Sequence, residues 1–233
     1  MRSGDDFFRK IEGKLIVSSQ ALKDEPLYGP EIMAKMARAA AIGGAVAIRA
    51  NGASDIRAIK KEVDLPIIGL VKRDYPDSDV YITATKKEID ELLAVGVSMI
   101  ALDATFQTRP NGESLETLIR YLKEKGQRIM ADISTLEEGK LAARIGVDCV
   151  STTLSGYTSY SRQLDEPDFQ LIEELSQQVK IPVIAEGRVS TPEQAKKALE
   201  CGAYAVVVGS AITRPQLITE SFVKQIAKIE RRV

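Results

Sequence analysis

The segment that decides the fold spans residues 181–212 and reads IPVIAEGRVSTPEQAKKALECGAYAVVVGSAI. It contains two short apolar runs, Pro182–Ala185 and Tyr204–Val208. Runs without polar alternation are typical of strands buried on both faces. Between them, Ser190-Thr191-Pro192-Glu193 is a helix start because proline suits the first turn, and Gly202 suits the helix end. The segment therefore predicts a strand–helix–strand unit of a parallel sheet.

The same unit recurs along the rest of the chain. Three further glycines lie, as Gly202 does, between a helical pattern and the next apolar run: Gly96, Gly126 and Gly146. Eight such runs predict eight strands. They are Leu15–Ser18, Ala45–Ile48, Pro66–Val71, Ser98–Leu102, Arg128–Ala131, Val147–Val150, Pro182–Ala185 and Tyr204–Val208.

Eight units in 233 residues, about 29 residues each, match a (β/α)₈ barrel. A doubly wound open sheet is the alternative, but no Gly-x-Gly-x-x-Gly follows the first strand. We therefore predict an α/β fold, a single-domain (β/α)₈ TIM barrel over residues 1–233, with residues 1–13 covering the barrel bottom. In the first long helical pattern, the apolar residues that recur at helical spacing are Ile32, Met36, Ala39 and Ala40.

The composition excludes several classes of function. The chain has no histidine, which removes Ser-His and Cys-His nucleophile pairs and most catalytic zinc sites. Its formal net charge of -1 gives no general attraction to nucleic acid or anionic membranes. No apolar stretch reaches the ~18 residues of a membrane span, and the N-terminus lacks a signal-peptide core, so we expect a cytoplasmic protein. Cys149 and Cys201 are expected to be small buried residues rather than a zinc site or disulfide framework.

Chemistry in a barrel of this type takes place at the carboxyl ends of the strands. Nearly every predicted strand is followed there by a charged, hydroxyl or amide side chain. Any one of them could simply cap the next helix, but the set as a whole favours a functional site. The residues that follow the eight strands begin at Ser18, Arg49, Lys72, Asp103, Asp132, Ser151, Glu186 and Gly209.

The last two strand ends carry glycines suited to phosphate. Gly187 and Gly209 let backbone N–H groups approach a ligand, and Ser210 begins a short helix. Loops at these two strands hold phosphate in many barrels. Arg188 or Arg214 can add a bidentate, charge-assisted contact. The alternative is that both turns simply require glycine.

Nine blocks spread through the chain carry a family resemblance. They are Val17–Leu22 with Asp24–Leu27, Ala47–Asn51, Gly69–Tyr75, Ile82–Thr85, Ala101–Thr105, Met130–Asp132, Thr152–Thr158, Ile184–Arg188 and Val208–Pro215. In order and in register, they closely resemble the N-acetylmannosamine-6-phosphate 2-epimerase family. The resemblance implies a barrel that inverts C2 of N-acetylmannosamine 6-phosphate to give N-acetylglucosamine 6-phosphate, in sialic acid and amino-sugar catabolism.

An epimerisation of this kind needs a base and a stabilised enolate. The open-chain aldehyde acidifies the C2 proton, and Lys72 is an amine whose pKa burial beside Arg49 could lower toward that of a working base. Glu186, on another strand, could polarise the substrate or act as the partner acid. The resemblance assigns the acid/base role to Lys72 and a supporting catalytic role to Glu186. The alternative is a Lys72–Glu186 ion pair without a catalytic role.

The remaining strand ends suit substrate binding. Gln20 and Arg49 can hydrogen-bond the aldehyde oxygen or the N-acetyl carbonyl, and Arg49 is the better oxyanion stabiliser because it is always charged. Asp132 can accept hydrogen bonds from sugar hydroxyls or the acetamido N–H. Thr153 and Tyr157 lie in a hydroxyl-rich loop that could close over the sugar, although a solvated turn is the simpler alternative.

We expect no cofactor and no metal, because Arg49, Lys72 and Arg188 are interleaved with the strand-end carboxylates. The expected partner is a small-molecule amino-sugar phosphate, not nucleic acid or a membrane, and a homodimer is compatible with the sequence. Two other functions fit the same residues. One is a Schiff-base aldolase that uses Lys72. The other is a non-catalytic sugar-phosphate sensor, although no DNA-reading module or basic patch is present.

Overall fold

The predicted strands form a closed parallel barrel. In a computed structural model, which describes residues 6–229, each strand pairs with the next along the chain. The strands are β1 (Leu15–Ser19), β2 (Ala47–Asn51), β3 (Ile67–Leu70), β4 (Met99–Asp103), β5 (Ile129–Asp132), β6 (Cys149–Ser151), β7 (Val183–Ala185) and β8 (Ala205–Val208). β1 also pairs with β8, which closes the barrel. The single-domain (β/α)₈ fold is therefore confirmed.

Helices alternate with the strands and cover the outside of the barrel. They are α1 (Asp6–Ile11), α2 (Pro30–Ile42), α3 (Ala53–Glu62), α4 (Lys86–Val95), α5 (Leu115–Glu124), α6 (Leu136–Ile145), α7 (Phe169–Gln178), α8 (Pro192–Glu200), α9 (Ser210–Thr213) and α10 (Pro215–Ala227). Two 3₁₀ turns, Pro110–Gly112 and Thr152–Leu154, precede α5 and follow β6. Within residues 6–229, no helix has the length and apolar character that crossing a membrane requires.

Five strands (β1, β2, β4, β5 and β6) extend further toward their carboxyl ends than the apolar runs predict. β2, β4, β5 and β6 include the polar residues Asn51, Asp103, Asp132 and Ser151. Asp103 and Asp132 are register partners, and Asp132 is also paired with Ser151. The strands continue through these residues because their backbones are still paired with a neighbouring strand. The prediction from hydrophobicity alone therefore ended these strands too early along the chain.

The pleat of the strands decides which polar residues face the barrel interior. Successive side chains of a strand point to opposite faces, so a residue two positions after an interior residue is also interior. Ala47, Met130 and Ile184 belong to the apolar cluster inside the barrel. Arg49, Asp132 and Glu186 follow them by two positions and accordingly point inward. Three charged side chains from three strands thus converge above the apolar interior.

Helix α1 closes the opposite end of the barrel. Phe7 and Ile11 are buried in the same apolar cluster as the interior strand residues. The Phe7 ring contacts the guanidinium of Arg128, which precedes β5, and the Phe8 carbonyl accepts a hydrogen bond from the Tyr204 hydroxyl. The described part of the predicted N-terminal segment thus lies across the amino-terminal ends of the strands. Residues 1–5 of that segment lie outside the described residues.

The helix start predicted at Ser190–Glu193 is found, but one helix face was predicted wrongly. Thr135 and Glu138 form a capping box at α6, and the Thr191 hydroxyl caps α8. In α2, the buried residues are Met33, Ala34, Ala37 and Ala40, so that only Ala40 of the predicted set Ile32, Met36, Ala39 and Ala40 is buried. Helix α2 packs against α3. The buried face of α2 is mostly alanine, and the larger apolar residues misled the prediction.

Candidate active site

A cavity of about 1510 Å³ opens at the carboxyl ends of the strands. Its walls come from residues at or after β1, β2, β3, β6, β7 and β8. All the predicted site residues line it except Asp132, which lies just below the cavity and contacts residues that do. The lining residues among them are Gln20, Arg49, Lys72, Thr153, Tyr157, Glu186, Gly187, Arg188, Gly209, Ser210 and Arg214.

Arg49 is the centre of the charged cluster in this cavity. Its Nη1 and Nη2 donate to the two carboxylate oxygens of Asp132 at 3.0 and 2.5 Å, which is a bidentate ion pair. The same Nη1 lies 3.1 Å from Oε2 of Glu186. Arg49 is 1% exposed, Asp132 0% and Glu186 13%. Burial alone would lower the pKa of Arg49, but the two carboxylates outweigh it and raise that pKa. The guanidinium therefore stays charged and fixed in position.

Thr153 connects the two carboxylates. Its hydroxyl lies 2.8 Å from Oδ1 of Asp132 and 3.1 Å from Oε2 of Glu186. The Ser151 hydroxyl is 2.8 Å from that of Thr153 and 3.4 Å from the same Glu186 oxygen. A hydroxyl has one hydrogen to donate, so Thr153 can satisfy only one carboxylate at a time. These contacts make Thr153 a residue that orients the carboxylates.

Lys72 presents a partly buried amine beside this cluster. Burial and the neighbouring Arg49 lower the pKa of Lys72, while Glu186 opposes the shift. Among residues 6–229, no group forms a hydrogen bond or an ion pair with the Lys72 ammonium. The predicted alternative of a Lys72–Glu186 ion pair is therefore absent from the described residues. A lowered pKa increases the fraction of neutral amine near neutral pH, which a general base requires.

The backbone of Lys72 is held by two neighbours. The chain after β3 returns on itself, and Lys72 forms an isolated antiparallel bridge with Ile82. The Lys72 backbone N–H also donates to the side-chain carbonyl of Asn51 at 2.8 Å. Both contacts fix the point from which the lysine side chain extends toward the cavity.

Glu186 and Tyr81 have perturbed acidities in the same region. Burial raises the pKa of Glu186, the Asp132 charge adds to the shift, and Arg49 opposes it. Burial and the charge of Asp132 raise the pKa of Tyr81 to about 12, so its hydroxyl stays protonated. Tyr81 lines the cavity, but the sequence prediction missed it. The only available signal was its position directly before the block Ile82–Thr85.

The turns after β7 and β8 expose backbone donors. Gly187 has a φ of 108°, which strongly favours glycine. A Cβ on Gly209 would lie 3.3 Å from the Cβ of Ser18, so a side chain there would crowd the barrel mouth. Within the described part of the chain, the backbone N–H groups of Gly187, Arg188 and Ser210 meet no hydrogen-bond acceptor. Three unpaired donors at one end of the cavity suit an anion.

The two arginines predicted to bind phosphate have other partners in this structure. The Nε and Nη2 of Arg214 contact the carboxylate of Glu25 at 2.9 and 3.0 Å. The Arg188 guanidinium donates to the carbonyl oxygens of Ser155 and Gly156 at 2.6 and 3.0 Å. Both residues line the cavity, and the Arg188 guanidinium is bound to the loop after β6.

Gln20 and Tyr157 complete the wall. The Gln20 Nε2 donates to the Ser18 hydroxyl at 2.8 Å, and its buried Oε1 has no partner among the described residues. Gln20 Oε1 is thus placed to accept from a ligand N–H or O–H, and the second N–H of Nε2 can still donate to a carbonyl. Tyr157 is 60% exposed at the cavity.

A closed parallel barrel with an amine, a fixed guanidinium and two carboxylates at its carboxyl end defines a (β/α)₈-barrel enzyme. A sequence model of the family described as "Putative N-acetylmannosamine-6-phosphate epimerase" matches residues 33–228. The chain belongs to this family, whose members are carbohydrate epimerases of the isomerase class.

Individual relatives agree with this assignment. A protein of Clostridioides difficile strain 630, named "Putative N-acetylmannosamine-6-phosphate 2-epimerase", is 61% identical over 217 residues, which cover 93% of this chain and 97% of the relative. A solved structure described as the N-acetylmannosamine-6-phosphate 2-epimerase from Clostridium perfringens has a TM-score of 0.94 at 56% identity, covering 97% of this chain and 98% of that one. A thiamine phosphate pyrophosphorylase from Pyrococcus furiosus, at 19% identity and a TM-score of 0.58, shares the fold alone.

Proposed function

We propose that the chain interconverts N-acetylmannosamine 6-phosphate and N-acetylglucosamine 6-phosphate by removing and returning the proton at C2. The observation that carries this proposal is the Lys72 amine, which has a lowered pKa and lies beside a guanidinium held by two carboxylates. The family membership supports the same substrate. The reaction belongs to sialic acid and amino-sugar catabolism.

The chemistry requires the open-chain form of the sugar. Its C1 aldehyde acidifies the C2 proton, and the neutral Lys72 amine takes that proton to leave an enolate. Arg49 stabilises the developing negative charge on O1, because its charge is permanent and its position is fixed before the reaction. A proton from Glu186, the proposed partner acid, is delivered to the opposite face of C2 and completes the inversion, after which Lys72 loses its proton to solvent and Glu186 regains one.

The carboxylates support this step in different ways. Asp132 fixes Arg49 through the bidentate pair and is not itself exposed to the cavity. Glu186 lines the cavity, and burial raises its pKa, which increases the fraction of protonated carboxyl that can act as the partner acid. Thr153 acts through both carboxylates. The catalytic residues we propose are therefore Lys72 and Glu186, with Arg49 as the oxyanion stabiliser.

Substrate binding divides between the two ends of the cavity. We place the phosphate on the free backbone N–H groups of Gly187, Arg188 and Ser210, with the Arg214 guanidinium as a charged partner that is already in reach of Ser210. Gln20 and Tyr157 lie on the wall available to the sugar. The substrate thus spans from the glycine turns to the Lys72 amine.

Proton NMR of N-acetylmannosamine 6-phosphate with the protein in heavy water tests the function. We expect the C2 proton signal to disappear as deuterium is incorporated and the N-acetylglucosamine 6-phosphate signals to appear. Trapping with borohydride in the presence of the substrate is the matched control, because a covalent adduct at Lys72 would indicate a Schiff-base aldolase. If neither turnover nor exchange at C2 is observed, the protein is not an epimerase, and a non-catalytic sugar-phosphate sensor is the remaining function.

Substitutions in the phosphate site should weaken binding more than chemistry. Arg214→Ala removes a charge-assisted contact, and Gly209→Val blocks the approach of the backbone. We expect the KM for the 6-phosphate to rise by about tenfold or more, while kcat falls less. Steady-state kinetics on both sugars provide the measurement. Equal efficiency on unphosphorylated N-acetylmannosamine would contradict the phosphate site.

Activity should not depend on a metal ion. Catalytic metal sites in barrels usually use histidines and carboxylates, and here Asp132 and Glu186 are both paired with Arg49. Among the described residues, no three or more histidine, cysteine, aspartate or glutamate side chains cluster so that they could hold a metal ion. Dialysis against EDTA, checked by elemental analysis, should leave full activity in chelator. A loss restored by one particular divalent ion would show that a metal supplies the electrostatic stabilisation.

A further inference from the structure

The side chain of Arg188 connects the turn after β7 to the loop after β6. Its Nη1 and Nη2 donate to the carbonyl oxygens of Ser155 and Gly156, and its guanidinium carbon lies 4.6 Å from the centre of the Tyr157 ring. One side chain therefore contacts three consecutive residues of the loop. The attraction between a guanidinium and an aromatic ring and the charge-assisted hydrogen bonds both strengthen this attachment.

The geometry at both ends of this contact is specialised. Arg188 has a φ of 56°, a left-handed conformation that is uncommon for a residue with a side chain. Gly156 has a φ of 76°, and a Cβ there would lie 2.6 Å from the Nη2 of Arg188. The guanidinium thus packs directly on the loop backbone. Such strain at a cavity wall suggests a functional requirement.

The Tyr157 ring contacts Arg188, while the Tyr157 backbone N–H donates to the Leu154 carbonyl at 2.9 Å. Tyr157 is 60% exposed, and among the described residues it belongs to none of the apolar clusters. The neighbouring loop residues have separate anchors, since Ser155 donates to Asp168 and Thr158 donates to Ser134. These two hydrogen bonds hold the loop on either side of Tyr157, whereas Arg188 contacts the Tyr157 ring itself.

We propose that Arg188 is a positioning residue that holds Tyr157 against the bound sugar, and that its guanidinium does not bind the phosphate. This inference rests on the proposed function for the identity of the sugar, but the contact itself does not depend on it. Arg188 contributes to the phosphate site only through its backbone N–H. Its side chain acts on substrate affinity through Tyr157.

Arg188→Gly tests the proposal, because glycine accepts the φ of 56° and keeps the backbone turn while removing the side chain. We expect the KM for N-acetylmannosamine 6-phosphate to rise about tenfold with kcat within about threefold. Tyr157→Ala should have the same effect, and the double variant should be no worse than either single one. Arg188→Lys keeps the charge but lacks the planar guanidinium, so its KM should lie between that of the wild type and that of Arg188→Gly. Additive effects of the two substitutions would contradict the proposal.

Two measurements without sugar separate this inference from the proposed function. Hydrogen exchange of residues 155–160 should become faster in Arg188→Gly, while exchange in β6 and α7 stays unchanged. The inhibition constant of inorganic phosphate should stay within about twofold, whereas Arg214→Ala should raise it. Lys197→Met is the matched control, because Lys197 makes a similar contact with Phe169, at 4.0 Å, away from the cavity. Unchanged exchange, or phosphate inhibition weakened in parallel with the KM, would overturn the proposal.

Discussion

Replacing Lys72 with methionine should lower the rate of C2 hydrogen exchange by at least about 10²-fold, the low end for a positioned acid/base group. Methionine keeps most of the length and the apolar stem of lysine but lacks the amine. The sugar phosphate should still bind, since the phosphate site lies on β7 and β8. Exchange measured by proton NMR in heavy water, with binding measured separately by calorimetry, tests both parts of this expectation.

Lys23→Met provides the control for this substitution. Lys23 is an exposed lysine that also lines the cavity, so its removal changes the net charge of the site equally. We expect it to leave exchange within about threefold of the wild type, because exposed charges are screened. The pH profile gives a second readout. Activity should rise with pH as the Lys72 ammonium loses its proton. Because the pKa of Lys72 is lowered, this rise should occur at a lower pH than the pH at which an ordinary lysine deprotonates. Near-normal turnover by Lys72→Met would remove Lys72 from the mechanism.

Replacing Asp132 with asparagine should lower both stability and activity. The change removes one carboxylate from a fully buried ion pair and leaves Arg49 with Glu186 alone. Breaking a buried pair costs about 3–5 kcal/mol, and we expect the low end because Glu186 still contacts the guanidinium. A loss of about 3 kcal/mol corresponds to a fall in Tm of about 6–12 °C for a chain of this size. Turnover should fall by about 10²-fold or more as Arg49 loses its fixed orientation.

A paired replacement separates structure from catalysis at this site. Arg49→Met combined with Asp132→Leu removes both charges and fills the space with apolar groups, so much of the lost stability should return. Activity should stay low, because the oxyanion stabiliser is missing. Lys196→Met, which removes the exposed Lys196–Glu200 pair, should change the free energy of unfolding by less than about 1 kcal/mol. Activity recovered together with stability would mean that Arg49 has no role beyond packing.

The sequence by itself determined the architecture and the location of the site. Apolar runs such as Pro182–Ala185 must be buried on both faces, and helical segments between them force a parallel arrangement. Parallel strands all end at the same edge, so residues far apart in the chain, such as Lys72 and Glu186, could be assigned to one site. Strand periodicity of two also fixes that Glu186 faces inward when Ile184 does. These inferences depend only on local patterns and on the direction of the chain.

Only the tertiary structure decided which partner each charged group takes. Arg49 and Asp132 are 83 positions apart, and their bidentate pair depends on how two strands approach across the barrel. The sequence suggested Arg188 or Arg214 for phosphate; the Arg188 guanidinium contacts the loop after β6, and Arg214 pairs with Glu25 while remaining within reach of Ser210. A long side chain can reach several groups within a few ångströms, so its choice depends on distances and burial that no local pattern encodes.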